Sequence, residues 1–247
     1  MKPIVIIAAV PQEIRLLEQA LEHLGTAHSG GIGYVTGAYG ALRVVVCAGG
    51  IGKVNAAAAT AVMIDRYDPQ LVISTGCAGA YIGSGLAVGD LVVVSEEVLA
   101  DEGVVVADGW KDLNYMNLPS VVRERETCFN LLPLSGHASE KAMRLARDTG
   151  VHLTRGRSAT VSTCSGTRRH GDDLAQRWGA LIENMEGAAV AQVCLRSAVD
   201  CLEIRGISNL VEERDLKKWD IPRAMEAAQR FVLKYLGGDG TALMPLR

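Results

Sequence analysis

Ala180 to Asn209 reads ALIENMEGAAVAQVCLRSAVDCLEIRGISN, and this stretch decides the fold. A short apolar run that ends at Ile182 predicts a buried strand. Small and apolar residues after Glu186 predict a helix that packs closely on a sheet, and Leu202 begins a second strand. The order strand, helix, strand is the repeating unit of an α/β sheet that carries helices on its faces.

Polar residues cluster where both strands are expected to end. They are Glu183, Asn184 and Glu186 after the first strand, and Arg205, Ser208 and Asn209 after the second. Ligands of open α/β sheets bind just beyond the carboxyl ends of the strands. Taken singly, Glu186 is explained by the dipole of the helix that it opens, and Arg205 by a surface ion pair. The combination predicts a small-molecule site.

Composition points to one large α/β domain over residues 1–247. The chain is 49% hydrophobic but only 4% aromatic, which is typical of Ala-, Val- and Leu-rich helices on a parallel sheet. A net charge of −3 gives no basic footprint for a nucleic acid. The six cysteines form no C-x-x-C pair, which argues against zinc and for reduced thiols in the cytoplasm.

The first residues, MKPIVIIAAV, are interpreted as a strand over Ile4 to Val10 and not as a signal peptide, because Pro11 and Glu13 follow at once. No stretch has the length of a membrane span, so we expect no membrane partner. A helix should start at Pro11 and carry an inner apolar stripe as far as Leu24. Glu13, between strand and helix, is a candidate carboxylate at the ligand edge.

Two glycine-containing segments follow predicted strands. Gly49 to Asn55, GGIGKVN, fails the phosphate-loop pattern because Val54 follows Lys53, and it fails the dinucleotide fingerprint because Asn55 holds its last small-residue position. We interpret it as a structural turn near a subunit interface. Thr75 to Gly79, TGCAG, allows backbone to approach a ligand. Ala78 and Gly79 are therefore candidate binding residues, whereas Cys77 is interpreted as a packing residue.

The segments NMEGAA, RGISN, GIGKVNAA and TGCAG together resemble the nucleoside phosphorylase and nucleosidase superfamily. The resemblance implies a single-domain, three-layer α/β/α fold with a central mixed twisted sheet. It implies that Met185 and Glu186 hold the ribose hydroxyls and that Glu13 activates water. It further implies that the reaction requires neither a metal nor an organic cofactor. The purine-side residues would be Arg205, Ser208, Asn209, Val161, Ser165, Gly166 and Thr167.

Asn209 departs from one branch of the superfamily. The methylthioadenosine/S-adenosylhomocysteine nucleosidases carry Asp at this position, whereas an Asn offers both a donor and an acceptor to a 6-oxopurine. SNLVEERD, WDIPRA and VPQEI are similar to another branch, which releases hypoxanthine from a nucleoside with a benzoate on its 5′ side. The resemblance implies a cation and an apolar pocket there, with three candidates: Trp110, Arg123 and Arg125.

Several alternatives stay open at this point. Asp108 to Gly136 is interpreted either as an irregular segment that covers the substrate or as a surface insertion. The chain could be an adenine-type nucleosidase, a phosphorylase, a catalytically silent nucleoside-binding protein or, least favoured, an NAD-binding protein. The expected partner is a small purine nucleoside. The Gly49 turn and the long segment also suggest a homo-oligomer.

Overall fold

The computed structural model describes residues 2–123 and 126–237. Within these residues, ten strands form one mixed sheet and four more form two small hairpins. The strands are β1 (Ile4–Ala8), β2 (Glu22–Ser29), β3 (Ile32–Tyr39), β4 (Leu42–Ala48), β5 (Leu71–Tyr81), β6 (Leu91–Leu99), β7 (Gly103–Val106), β8 (Gly109–Asp112), β9 (Val121–Arg123), β10 (Glu126–Cys128), β11 (Leu131–Pro133), β12 (Leu153–Thr160), β13 (Ala180–Asn184) and β14 (Asp200–Val211).

Five helices of the described chain each connect two consecutive strands, and a sixth follows the last strand. They are α1 (Arg15–Ala20), α2 (Lys53–Tyr67), α3 (Gly136–Asp148), α4 (Arg168–Trp178), α5 (Gly187–Ser197) and α6 (Ile221–Gly237), with 3-10 turns at Pro11–Glu13, Ile82–Ser84 and Leu216–Lys218. Among the described residues, no helix has the length and apolar character that crossing a membrane requires.

The order of strands explains how the sheet closes on itself. It runs β11, β6, β12, β13, β5, β1, β4, β3, β2, and β14 pairs with both β5 and β6. The pairs β5–β14, β14–β6, β6–β12, β12–β13 and β13–β5 therefore form a closed ring. The sheet also continues from β5 outside the ring, through β1, β4, β3 and β2 in that order. In this open part, β1 and β4 are parallel.

Apolar side chains bury both faces of the central strands. All five residues of β1 are buried, as expected for a parallel strand covered on both sides. One core contains buried residues of α2 and α5, and a second contains residues of α1, α3 and α6. The predicted three-layer α/β/α fold with a mixed sheet is confirmed.

Several local predictions were wrong. The first helix ends at Ala20, so Leu24 does not continue its stripe but lies 56% exposed in β2, a strand at one edge of the sheet. Asp108 to Gly136 is not wholly irregular, because it holds β8 to β11. Helix α4 was not predicted at all. Short strands and a charged helix carry too little apolar periodicity to be recognised in the sequence.

Gly206 on β14 gives a test of the packing between sheet and helix. A Cβ there would lie 2.1 Å from the backbone oxygen of Ala224 in α6. Gly206→Ala should therefore lower the free energy of unfolding by about 1–3 kcal/mol, the usual cost of overpacking. Gly83→Ala is the matched control, because a Cβ at Gly83 meets no atom within 4 Å. Denaturant unfolding of both variants measures the effect, and equal stabilities would contradict this packing argument.

Candidate active site

The candidate site lies along the second half of β5. Register pairs Gly76 with Arg205 and Gly79 with Asn209 on β14. Arg205, Ser208 and Asn209 were expected beyond the end of a strand, but all lie within the 12-residue β14. The TGCAG segment likewise lies within β5. Both strands continue past the expected edge because they take part in the closed ring, so these side chains are held on paired backbone.

Glu13 is fixed by main-chain donors. It is 4% exposed and ends the 3-10 turn that follows β1. Its Oε2 accepts hydrogen bonds from the N–H groups of Ala9 at 3.0 Å and Val10 at 3.3 Å, and its Oε1 accepts one from Cys77 at 3.0 Å. A Cβ at Gly76 would lie 2.6 Å from Oε1, so the strand must carry glycine there. The sequence-predicted carboxylate therefore lies against the TGCAG strand.

Arg205 links the carboxylates of the site. It is 1% exposed, and its Nε donates to Glu203 at 2.7 Å. One terminal nitrogen lies 3.7 Å from Oε2 of Glu186. Burial lowers the pKa of Arg205, but Glu203, Glu186 and Glu13 together raise it above its ordinary value. The guanidinium is therefore a permanent positive charge beneath the site.

Glu186 is the N-cap residue of α5 and is buried. Its Oε1 accepts a hydrogen bond from the N–H of Gly52 at 2.9 Å. Burial raises the pKa of Glu186, while Arg205 and the Gly52 N–H lower it in part. Gly52 was interpreted only as part of a structural turn, and its contact with Glu186 was missed. The available signal was its position immediately before α2, where N–H groups favour an anion.

Ser208 and Asn209 form a polar pair over β5. The Ser208 hydroxyl can donate to Oδ1 of Asn209 at 2.8 Å or to the carbonyl of Ala78 at 3.2 Å. The amide nitrogen of Asn209 donates to the carbonyl of Leu210 at 3.2 Å. An amide group has two N–H donors and two acceptor positions. The 8%-exposed Asn209 therefore keeps one donor and one acceptor for a ligand.

The four candidate residues after β12 differ in their burial and in their contacts. Ser165 is buried and donates both its N–H, at 2.9 Å, and its hydroxyl, at 2.7 Å, to Glu183. Val161 is also buried. Gly166 and Thr167 are exposed, and Thr167 caps α4 through its hydroxyl, which gives it a structural role.

Two further predicted contacts with substrate can be located. Met185 is half-buried between Asn184 and Glu186. Ala78 is buried, and its carbonyl lies within hydrogen-bonding distance of the Ser208 hydroxyl.

A buried acid pair lies below Arg205, and sequence reasoning did not find it. Glu97 and Glu203 are both fully buried. The amide nitrogen of Asn184 lies 2.7 Å from Oε1 of Glu97 and 3.3 Å from Oε1 of Glu203, and Thr160 donates to Glu97 at 2.7 Å. Burial, and then the charge of Glu203, raise the pKa of Glu97 well above its ordinary value. Burial therefore favours the protonated form of Glu97, while Glu203 pairs with Arg205.

Two of the three candidates for the 5′ side can be described by their contacts. Trp110 packs edge-on against Trp178 at 5.7 Å and lies under Arg177. Arg123 donates to the carbonyl of Leu195, near the end of α5. Neither contact involves Glu13, Glu186 or Asn209. Arg125 lies outside the described residues.

Cys77 has the properties of a packing residue. Burial, and then the charge of Glu13, raise the pKa of Cys77 to about 12, so its thiol carries almost no thiolate near neutral pH. Within the part of the chain that the structure describes, no group of three or more His, Cys, Asp or Glu side chains is arranged to hold a metal ion.

Comparisons with known proteins agree with this geometry. The sequence model of the phosphorylase superfamily matches residues 3–237. The chain is 39% identical over 197 residues to a futalosine hydrolase of Thermus thermophilus, covering 79% of this chain and 82% of the relative. It is 30% identical over 239 residues to a 5′-methylthioadenosine/S-adenosylhomocysteine nucleosidase of Bacillus subtilis, covering 94% and 96%.

A solved structure shows the same architecture. The 5′-methylthioadenosine/S-adenosylhomocysteine nucleosidase of Neisseria meningitidis, in complex with methylthio-immucillin-A, superposes with a TM-score of 0.83 at 26% identity. The superposition covers 96% of this chain and 99% of that structure.

Glu97 predicts how stability depends on pH. Above the ordinary glutamate pKa of 4.5, the unfolded chain loses this proton while the folded chain keeps it. The folded state then binds more protons, so the stabilisation falls as pH rises towards the raised pKa. Glu97→Gln cannot ionise, so its free energy of unfolding should fall less between pH 5 and pH 8. Exposed Glu22→Gln is the control, and equal slopes for wild type and Glu97→Gln in urea unfolding would contradict the assignment.

Proposed function

Because the chain belongs to the phosphorylase superfamily and its relatives are nucleosidases, we propose that it hydrolyses the N-ribosidic bond of futalosine. The products would be hypoxanthine and dehypoxanthine futalosine, in the futalosine route of menaquinone biosynthesis. Three contacts carry the proposal: Glu13 accepts from the N–H of Cys77 on β5, Glu186 lies 3.7 Å from Arg205, whose register partner on β5 is Gly76, and Asn209 lies opposite Gly79 of β5. Two carboxylates and a neutral amide suit the three tasks of cleaving a 6-oxopurine nucleoside.

The first task is to stabilise the sugar. Cleavage of an N-riboside passes through a state with positive charge on the ribose, as in glycoside hydrolysis. A carboxylate beside that charge lowers the barrier most when it is already in place. Glu186, held by Gly52 and Arg205, would accept both ribose hydroxyls and face the developing charge.

The second task is to supply the nucleophile. Glu13 would take a proton from water as the water attacks the anomeric carbon. Its three main-chain hydrogen bonds fix the direction of the carboxylate, so the side chain need not reorient during the reaction.

The third task is to receive the departing base. Asn209 would donate its free N–H to O6, and its Oδ1 would accept a hydrogen bond from the N7–H of the departing base. The proton on N7 would come from solvent, and the proton that Glu13 takes from water would return to solvent. Ser208 would hold the amide in this orientation through its hydroxyl.

A methylthioadenosine-type nucleosidase is the second candidate function. The Bacillus subtilis relative favours it, because 94% of this chain is covered at 30% identity. Asn209 favours the first candidate, because its N–H suits the O6 acceptor of hypoxanthine. A phosphorylase is separated from both by its need for phosphate, and a non-catalytic binding protein has no use for the water-activating Glu13.

One assay separates these functions. The purified protein is incubated without phosphate with futalosine, inosine, 2′-deoxyinosine and methylthioadenosine, and the released base is identified. We expect hypoxanthine from futalosine and poor release of adenine. The deoxyriboside should react slowly, because Glu186 would lose one of its two hydroxyl partners. Preferred cleavage of methylthioadenosine would support the second candidate, and release only on addition of phosphate would support a phosphorylase.

Glu13→Gln tests the base. The amide cannot accept the proton of water, so kcat should fall by about 10²–10⁴-fold, the usual contribution of general base catalysis. Exposed Glu22→Gln provides a charge-matched control. Thermal melting should show that both variants fold. Hydrolysis at nearly the wild-type rate by Glu13→Gln would remove Glu13 from the mechanism.

Asn209→Asp tests the base preference. A carboxylate can accept from the amino group of a 6-aminopurine but repels O6, so preference should shift towards the 6-amino substrate. Each buried hydrogen bond left unmade should cost about 1–3 kcal/mol. The measurement is kcat/KM for futalosine and its 6-amino analogue with both proteins. A wild type that prefers the 6-amino analogue would overturn the role of Asn209.

We also propose that the chain forms a homo-oligomer of at least two subunits. Ile51 and Val54, beside Gly52, are 58% and 83% exposed, and Leu118 and Val122 are exposed as well. Ile51 and Val54 lie three positions apart at the start of α2, and neighbouring exposed apolar residues favour an interface. Light scattering at micromolar concentration should give at least twice the 26.2 kDa of one chain. A monomer would contradict the proposal.

A further inference from the structure

Glu183 lies at the same level of the sheet as Gly79 and Asn209, on three neighbouring strands. β13 ends antiparallel to β5 with Glu183 opposite Gly79, and Gly79 pairs on its other side with Asn209 of β14. Residues directly opposite one another in neighbouring strands point to the same face of a sheet. A Cβ on Gly79 would lie 3.1 Å from the amide nitrogen of Asn209 and 3.6 Å from Cγ of Glu183. The two side chains therefore lie over the same glycine.

The carboxylate of Glu183 has unused capacity to accept hydrogen bonds. It is 6% exposed, and both of its side-chain hydrogen bonds come from Ser165, one to each oxygen. An ionised carboxylate has about four acceptor positions. Among residues 2–123 and 126–237, no Lys, Arg or His nitrogen lies within 4.0 Å of it. A buried carboxylate without a cation is costly unless further donors reach it.

Tyr81 is a neighbouring side-chain donor. Its hydroxyl is buried and has no partner at full hydrogen-bond geometry among the described residues. Burial, then the charge of Glu183 and a side-chain hydrogen bond towards Glu183, raise the pKa of Tyr81 above its ordinary value, so Tyr81 can occupy one acceptor position of the carboxylate and leave another for a ligand. The negative charge of Glu183 therefore acts on its neighbours. A hydrogen-bond donor of a ligand bound over Gly79 would interact with this carboxylate.

The chemistry of the two purine classes differs at the position next to C6. A 6-oxopurine carries an N–H donor at N1, whereas a 6-aminopurine carries a lone pair there. If Asn209 faces N7 and the C6 substituent, the next group along the base edge faces N1. An ionised carboxylate can only accept, so it pairs with N1–H and repels the lone pair of a 6-aminopurine.

We propose that Glu183 accepts the N1–H group of a 6-oxopurine and, together with Asn209, determines which base the enzyme releases. This inference rests on the proposed function and names the residue that selects its substrate class. Ser165 positions the Glu183 carboxylate through one hydrogen bond to each of its oxygens. Sites built from buried polar pairs reject the wrong partner strongly, because its arrival leaves a charged acceptor unpaired.

Glu183→Gln tests the proposal, because the amide keeps the shape and can donate to the N1 lone pair. The readout is the ratio of kcat/KM for futalosine to kcat/KM for its 6-amino analogue. Both values are measured with the same protein sample, so a smaller folded fraction lowers both equally and leaves the ratio unchanged. The ratio should fall by about 10–100-fold, the range for a lost hydrogen bond to a charged group. Ser165→Ala should lower the ratio less, and exposed Glu22→Gln should leave it unchanged.

A second measurement needs no variant. The 1-methyl analogue of futalosine lacks the N1–H, so the wild type should cleave it at least about 10-fold less efficiently. An unchanged ratio in Glu183→Gln, or equal cleavage of the methylated substrate by the wild type, would overturn the inference while base release itself continued. Failure of the wild type to release a base from any 6-oxopurine nucleoside would instead overturn the proposed function.

Discussion

The buried guanidinium of Arg205 is the constraint on which the candidate site depends. A charge removed from water must be paired, and Arg205 is paired with Glu203 below and with Glu186 above. This requirement also explains two glycines. A Cβ at Gly76 would lie 2.8 Å from the guanidinium, and one at Gly187 would lie 2.3–2.6 Å from the oxygens of the acid pair. The floor of the site is thus a packed charge network that leaves no room for larger residues.

Much of this arrangement could be predicted from the sequence. Strand, helix and strand around NMEGAA gave the fold class, and the positions of Glu13 and Glu186 predicted two carboxylates at one edge. The roles of the site residues stay predictions. What the sequence could not indicate is burial. Glu97 looked like one acid among several in SEEVLADEG, yet it is fully buried within the ring of strands, and this burial raises its pKa well above the ordinary value.

The same limit applies to backbone groups. Gly52 belongs to a turn whose motif suggested only structure, and its N–H reaches Glu186 across 134 positions of sequence. A main-chain donor leaves no side-chain signal, so only the three-dimensional arrangement reveals it. Strand lengths were underestimated for a related reason. β5 and β14 run on through small and polar residues because their neighbours in the ring keep them paired, which outweighs local propensity.

The closed ring of strands has a consequence for how such a site can diverge. Each strand of the ring is paired on both sides, so sliding one strand by a single residue would break two ladders at once. The spacing between positions 183, 79 and 209 is therefore set by the backbone and is the same whatever side chains stand there. New base preferences can then arise by exchange of one or two side chains on an unaltered frame. Specificity in this architecture is separable from folding.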